Sequence, residues 1–224
     1  MAIYLDYNAT SPLLTLALER LTESARLRPG NPSSVHWFGQ EARNRLEECR
    51  RELAAWVGAD SGGLVFTSGG SESNALALRG FAPGLLSGSS APVHVIGSPM
   101  DHPSVVENLE WLERQGAELS WLPSGGDGTV EVEALPELLR PNTRLVAFAG
   151  ANNETGVVQP IRRGVELIQQ AGRGAGCPPD RRVWFYTDLA QAAGRMELAI
   201  KDWGVDGATL CAHKMGGPRG VGAL

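Results

Sequence analysis

The chain has 224 residues, with 20 Lys plus Arg against 25 Asp plus Glu and a formal charge of −5. Hydrophobic residues make up 42% and charged residues 20%, the composition of an ordinary globular protein. This mild acidity gives no electrostatic case for nucleic acid or an anionic membrane, and no apolar run approaches the ~18 residues of a membrane-crossing helix.

The N-terminal segment MAIYLDYNATSP carries Asp6 early and no basic stretch before an apolar one, which argues against a secretory signal. Met1 to about Leu27 reads as an arm followed by a helix, with a single larger domain over residues 28–224. Leu64 to Thr67 is a short strand ending in Ser68-Gly69-Gly70, and Ser71 to Arg79 begins a helix. The Gly/Ser/Pro-rich stretch Phe81–Pro92 is a surface loop on composition. Val93 to Gly97 is a second strand, followed by a loop and a helix over Ser104–Arg114. Glu118 to Leu122 is a strand, Glu131 to Leu139 a helix closed by Pro141, and Leu145 to Ala149 a buried strand. Arg162 to Gln170 is a helix, and the Arg173–Arg182 stretch a loop. Strands follow at Val183–Thr187, Ala208–Cys211 and Val221–Leu224. This alternation predicts an α/β fold, a mostly parallel seven-stranded sheet with helices on both faces. In such sheets ligands collect beyond the carboxyl ends of the strands.

Five polar groups follow those strands. The run Thr67-Ser68-Gly69-Gly70-Ser71-Glu72-Ser73-Asn74 joins a strand to a helix through glycines. It reads either as a phosphate cradle at a helix N-terminus or as a plain helix start capped by Ser71 or Ser73. His102 sits at a helix entry, either as a ring that stacks on a planar ligand and shuttles protons or as a capping or solvated histidine. Asn152-Asn153-Glu154-Thr155-Gly156 offers amides to a ligand, or simply forms a turn. Asp188 could pair with a protonated ring nitrogen, with Gln191 one turn further on, or could cap a helix. Lys214 precedes a glycine-rich turn, either as a Schiff-base lysine or as a solvated loop lysine.

Taken together these are the parts of a pyridoxal phosphate site: a phosphate cradle, a stacking ring, an Asp for the pyridine nitrogen and a lysine. In the same order along the chain, the segments Tyr4–Thr10, Gly30–Ser34, Thr67–Asn74, the His102 loop, Asn152–Gly156, Thr187–Gln191 and His213–Gly220 resemble the class V aminotransferase superfamily, in its cysteine desulfurase and selenocysteine lyase branch. The resemblance implies the large domain of a fold-type I pyridoxal phosphate enzyme, without the small C-terminal domain of the family. It implies Lys214 as the Schiff-base lysine, Asp188 on the pyridine nitrogen and His102 stacked over the ring in proton transfer. Gln191 and Asn153 would contact the phenolic oxygen and the substrate region, and Gly70, Ser71 and His213 the phosphate. Cys211 lies in the same phosphate region, where the family pattern has Ser or Thr. Ala212 replaces a glycine and Met215 a bulkier residue.

The implied reaction turns L-cysteine into L-alanine, with sulfur left as a persulfide for iron–sulfur cluster assembly or tRNA thiolation. The implied assembly is a homodimer serving a sulfur-acceptor protein. In the family pattern the persulfide cysteine, the carboxylate-binding arginine and a partner-phosphate contact lie beyond Leu224. The chain is accordingly expected to be an N-terminal portion that exposes apolar surface where a small domain would pack. A selenocysteine lyase and a non-catalytic remnant of the fold remain alternatives; the Arg173–Arg182 loop leans toward the lyases. No metal is expected. Three cysteines without a close pair point to a reducing cytosol. Cys49 reads as structural within a charged helix, Cys177 as exposed in its loop, and Cys211 as a small packing residue or a reactive thiol.

Overall fold

The computed structural model describes residues 3–27, 29–86, 92–174 and 182–224. Its elements run α1 (Thr15–Leu27), α2 (Trp37–Val57), β1 (Phe66–Thr67), α3 (Gly70–Leu86), β2 (His94–Gly97), α4 (Pro103–Arg114) and β3 (Glu118–Trp121). They continue with α5 (Leu135–Leu138), β4 (Thr143–Ala147), α6 (Ile161–Gln170), β5 (Trp184–Asp188), α7 (Ile200–Trp203), β6 (Gly207–Cys211) and β7 (Gly222–Ala223). The strands form one seven-stranded sheet in the order β1-β7-β6-β5-β4-β2-β3. The pairs within β6-β5-β4-β2-β3 are parallel, and β7 runs antiparallel to both β1 and β6.

The period-2 geometry of the strands divides the core in two. Val95, Leu145, Ala147 and Tyr186 face Leu109 and Leu112 of α4 and Leu78 of α3. Their strand neighbours Ile96, Val146 and Phe185 face the other way, against Val57 of α2, Leu135 of α5 and Val165 and Ile168 of α6. Both faces of the sheet are therefore covered, as parallel strands with apolar side chains on each face require. Gly97 lies at the close approach of α4, where a Cβ would fall 2.3 Å from Leu109 Cδ1.

Several elements differ from their sequence expectations. The helix expected from Ser71 runs on to Leu86, so the first part of the Phe81–Pro92 stretch is helical rather than loop; residues 87–91 lie outside the described residues. Neither Ser71 nor Ser73 caps it. Both sit inside the helix, and Glu72 accepts from the Ser68 N–H at 2.6 Å instead. The region Glu131–Leu139 is a 3-10 turn at Val132–Ala134 joined to the four-residue α5, because Pro136 removes a helix donor there. The sheet's hydrogen bonds place β4 two residues earlier than expected, and make Asp188 the last residue of β5 rather than the residue after it. The short α7 has no counterpart in the sequence reading. Cys177 and most of the Arg173–Arg182 loop lie outside the described residues.

Helix α1 buries none of its residues, and Leu16, Leu18 and Leu21 are exposed. Val35 and Trp37, beside the start of α2, are 87% and 65% exposed. Among the described residues, no helix is long and apolar enough to cross a membrane.

His94 is fully buried in β2. Its Nδ1 pairs with Thr143 Oγ1 at 2.8 Å and its Nε2 with Ser120 Oγ at 2.9 Å, which ties β2 to both its neighbours. Burial and then the nearby Arg140 push its pKa down to about 4. The unfolded chain binds a proton on this ring near pH ~6.5 that the folded chain refuses until about 4. His94 therefore removes stability as pH falls through that window, by at most about 1.4 kcal/mol per pH unit. Thermal unfolding of His94→Gln should show lower stability at neutral pH and a loss of this slope; an unchanged slope would contradict it.

Candidate active site

The residues that follow the strands converge on one cleft. All nine candidates reach it: Gly70, Ser71, His102, Asn153, Asp188, Gln191, Cys211, His213 and Lys214. It also takes in Asn152 of the amide-bearing turn, and Asp101 and Ser104, to which the sequence reading gave no role.

At one end the β1–α3 turn presents a helix N-terminus. The N–H groups of Gly70 and Ser71 begin α3 and have no acceptor among the described residues, as first-turn donors generally lack one. Glycines permit the close packing behind this turn. A Cβ on Gly222 would lie 2.7 Å from the Gly69 backbone, and one on Gly70 would touch Cys211 Cβ at 3.6 Å. Cys211 is buried, in keeping with its reading as a packing residue. His213 Nδ1 pairs with Thr10 Oγ1 at 3.0 Å, and its Nε2 has no partner among the described residues. Burial, then Lys214 and Arg219, lowers the pKa of this ring. Donors without acceptors at a helix start are the chemistry of a phosphate site.

At the other end Asp188 is buried. It accepts from Asn74 Nδ2 at 2.8 Å and from the Ala190 N–H at 2.8 Å. The second contact is an Asx turn, not a helix cap, since no helix follows β5 here. Among the described residues no cation forms a salt bridge with Asp188, and burial raises its pKa. Such a carboxylate suits a ligand that brings a cationic N–H. Asn74, deep in α3, is the hub behind it. Its Oδ1 accepts from Tyr186 OH at 2.5 Å, and its Nδ2 also donates to Ser104 Oγ at 2.8 Å. Asn74 stood within the cradle motif, but nothing in the sequence marked which face of the helix it occupies.

Ser104 carries this network to His102. Its N–H donates to His102 Nδ1 at 3.1 Å, and its hydroxyl meets the same atom at 2.8 Å. His102 is thus the N-cap of α4 as well as a cleft residue; the two readings of it are not exclusive. With donors converging on Nδ1, the neutral ring carries its proton on Nε2. Asn152 Oδ1 accepts from the Glu154 and Thr155 N–H groups, and its Nδ2 donates to the Met100 carbonyl. Asn152 therefore builds the turn that sets Asn153 at the cleft.

Lys214 Nζ donates to the Asn8 carbonyl at 2.5 Å, and Gln191 Nε2 donates to the same oxygen at 3.0 Å. The arm that carries Asn8 is pinned further along, where Ser11 N–H donates to the His213 carbonyl and Leu14 N–H to the Gly216 carbonyl.

The Aminotransferase class-V family model matches residues 3–224. The cysteine desulfurase IscS of Dictyoglomus turgidum is 37% identical over 99% of this chain and 53% of its own length. That of Rickettsia felis is 34% identical over 100% of this chain and 52% of its own length. Among solved structures, a NifS-like protein superposes with a TM-score of 0.91 at 29% identity, covering 100% of this chain and 58% of that one. A structure described as SspA in complex with cysteine gives 0.89 at 31% identity, over 99% and 60%. The chain belongs to the class V aminotransferase family, whose members depend on pyridoxal phosphate. It spans about half the length of the curated relatives it matches. The cleft fits that cofactor on its own terms, with open N–H donors at one end and, at the other, a buried carboxylate that makes no salt bridge among the described residues.

Asp101 adds a second, half-buried carboxylate. It accepts the Ala149 N–H through both oxygens, at 3.1 and 3.0 Å. Burial, reinforced by Asp188, pushes its pKa up to about 7. The unfolded chain loses this proton near pH ~3.9 while the folded chain keeps it to about 7. Stability therefore falls as pH rises between those values, opposing the slope of His94. Asp101→Asn should gain stability over the parent by a few kcal/mol more at about pH 8 than at about pH 4. Equal gains at both pH values would show that Asp101 ionises normally.

Proposed function

We propose that the protein is a pyridoxal phosphate-dependent cysteine desulfurase that converts L-cysteine to L-alanine and passes the sulfur on. The observation that carries this reading is Asp188, a buried carboxylate with neutral donors only, in the same cleft as Lys214. When bound, the cofactor supplies an electron sink for the substrate's α-carbon. Asp188 keeps the pyridine nitrogen protonated, and Asn74 keeps Asp188 in place. Lys214 would hold the cofactor through its Nζ, and that amine, when free, would serve as the base for the substrate's α-proton. His102 stacks over the ring, and the proton on its Nε2 is available to the reacting substrate. Gly70 and Ser71 bind the phosphate through N–H donors and His213 through Nε2, with Cys211 lining the same pocket as a weaker donor than a hydroxyl. Gln191 and Asn153 contact the phenolic oxygen and the substrate region.

In this reading residues 28–224 form the cofactor-binding domain, and residues 1–27 an arm and helix that reach into it. The desulfurase relatives and the cysteine-bound structural neighbour support cysteine as substrate. The exposed apolar side chains of α1, Val35 and Trp37 support association, as a homodimer in the cytoplasm. A sulfur-acceptor protein and iron–sulfur cluster assembly complete the proposal.

Borohydride reduction of the protein with pyridoxal phosphate should label one peptide, at Lys214. Lys214→Ala should abolish the label, and a label elsewhere in that variant would overturn the assignment. Asp188→Ala should weaken cofactor binding about tenfold or more, read from the visible spectrum. The intact protein should release alanine from cysteine, and its failure to do so once loaded would overturn the desulfurase reading.

A further inference from the structure

Arg195 follows β5 and the turn of Asp188, and no role in the cleft has been given to it. Its guanidinium joins three parts of the site. One nitrogen donates to the Gln191 side-chain oxygen Oε1 in a very short contact and to the Gln191 carbonyl at 3.1 Å. The other donates to the Tyr7 carbonyl at 3.1 Å and the Lys214 carbonyl at 3.4 Å. Its position is built in by the residue before it. Gly194 has φ +75°, and a Cβ there would lie 2.9 Å from Met215 Cβ, so only glycine lets this turn pass so close to the lysine loop.

The consequence is chemical as well as mechanical. A guanidinium has donors only, so it fixes which end of the Gln191 amide it meets. With Oε1 held by Arg195, the Gln191 NH2 faces Asn8 and the cleft. One hydrogen serves the Asn8 carbonyl, and the other has no acceptor among the described residues. The contact to Tyr7 also sets the adjacent Asn8 carbonyl, the acceptor for Lys214 Nζ.

We propose that Arg195 is a positioning residue that clamps the N-terminal arm to the lysine loop and holds the Gln191 amide so that it donates into the cleft. The second half rests on the reading of Gln191 as a contact to the cofactor's phenolic oxygen. A donor there stabilises the ionised oxygen and lowers the pH at which the bound cofactor's visible band titrates.

The test compares Arg195→Met and Arg195→Lys with the parent protein. Peptide-resolved hydrogen exchange without cofactor should show residues 3–10 exchanging about tenfold faster in R195M. The amides of Ser11, Leu14 and Gly216, anchored independently, should be unchanged. With pyridoxal phosphate bound, the visible band should titrate about one pH unit higher in R195M. R195K, which keeps a donor, should recover part of both effects. Unchanged exchange over residues 3–10 overturns the clamp, and faster exchange with an unchanged titration overturns the role at Gln191. If R195M loses protection throughout β4 and β5, R195K decides: exchange over residues 3–10 and a titration both equal to the parent's, with one of the two donating nitrogens gone, would overturn the proposal. If the parent itself forms no reducible adduct at Lys214, the functional reading fails, while the exchange measurement still decides the clamp.

Discussion

A carboxylate enclosed at the end of a central strand is the constraint around which this molecule is arranged. Asp188 is buried, and its two hydrogen-bond donors are neutral. Asn74 reaches it only because α3 packs against β6 and α4, and Asn74 is itself held by Tyr186 and Ser104. Asp188, Asn74, Ser104 and His102 therefore form one chain of contacts that joins β5, α3 and α4. The residue that sets the electrostatics of the cleft and the ring proposed to cover the ligand share a single amide. A network of this kind is worth more intact than its pairwise parts suggest. It also explains why polar residues occupy places in the core that packing alone would fill with leucine.

Much of this was legible in the sequence, for a physical reason. In a parallel sheet the residues just past each strand must share one edge, so finding the strands locates the cleft. The cradle, His102, Asp188 and Lys214 could all be placed this way, without knowing which strand neighbours which. The order β1-β7-β6-β5-β4-β2-β3 could not, because pairing between parallel strands leaves no local mark on composition. Nor could the roles of Asn74 and Asp101. Their importance comes from burial and from partners about 114 and 48 residues away, in Asp188 and Ala149. Element ends differ from expectation where local chemistry misleads: a proline shortens one expected helix, and glycines give the end of α3 the composition of a loop.

Two side chains with shifted pKa values, His94 and Asp101, sit on opposite sides of this account. His94 is satisfied by hydroxyls on both ring nitrogens and joins three strands far from the cleft. Asp101 lines the cleft beside His102 and shares its surroundings with Asp188. Two carboxylates in one poorly hydrated place resist being charged together, so a cation entering the cleft relieves both.

The edge strand β1 carries the cradle into α3, and among the described residues it pairs in the sheet with β7 alone. The pairing of Phe66 with Ala223 joins points separated by most of the chain. Contacts of such long sequence separation form late, because the intervening loop must first be closed. During synthesis the turn at Ser68–Gly70 therefore emerges early but waits for Gly222 to back it. The hydrophobic layers around β2, β4 and β5 can therefore form before Gly222 closes against the Gly69 backbone behind that turn.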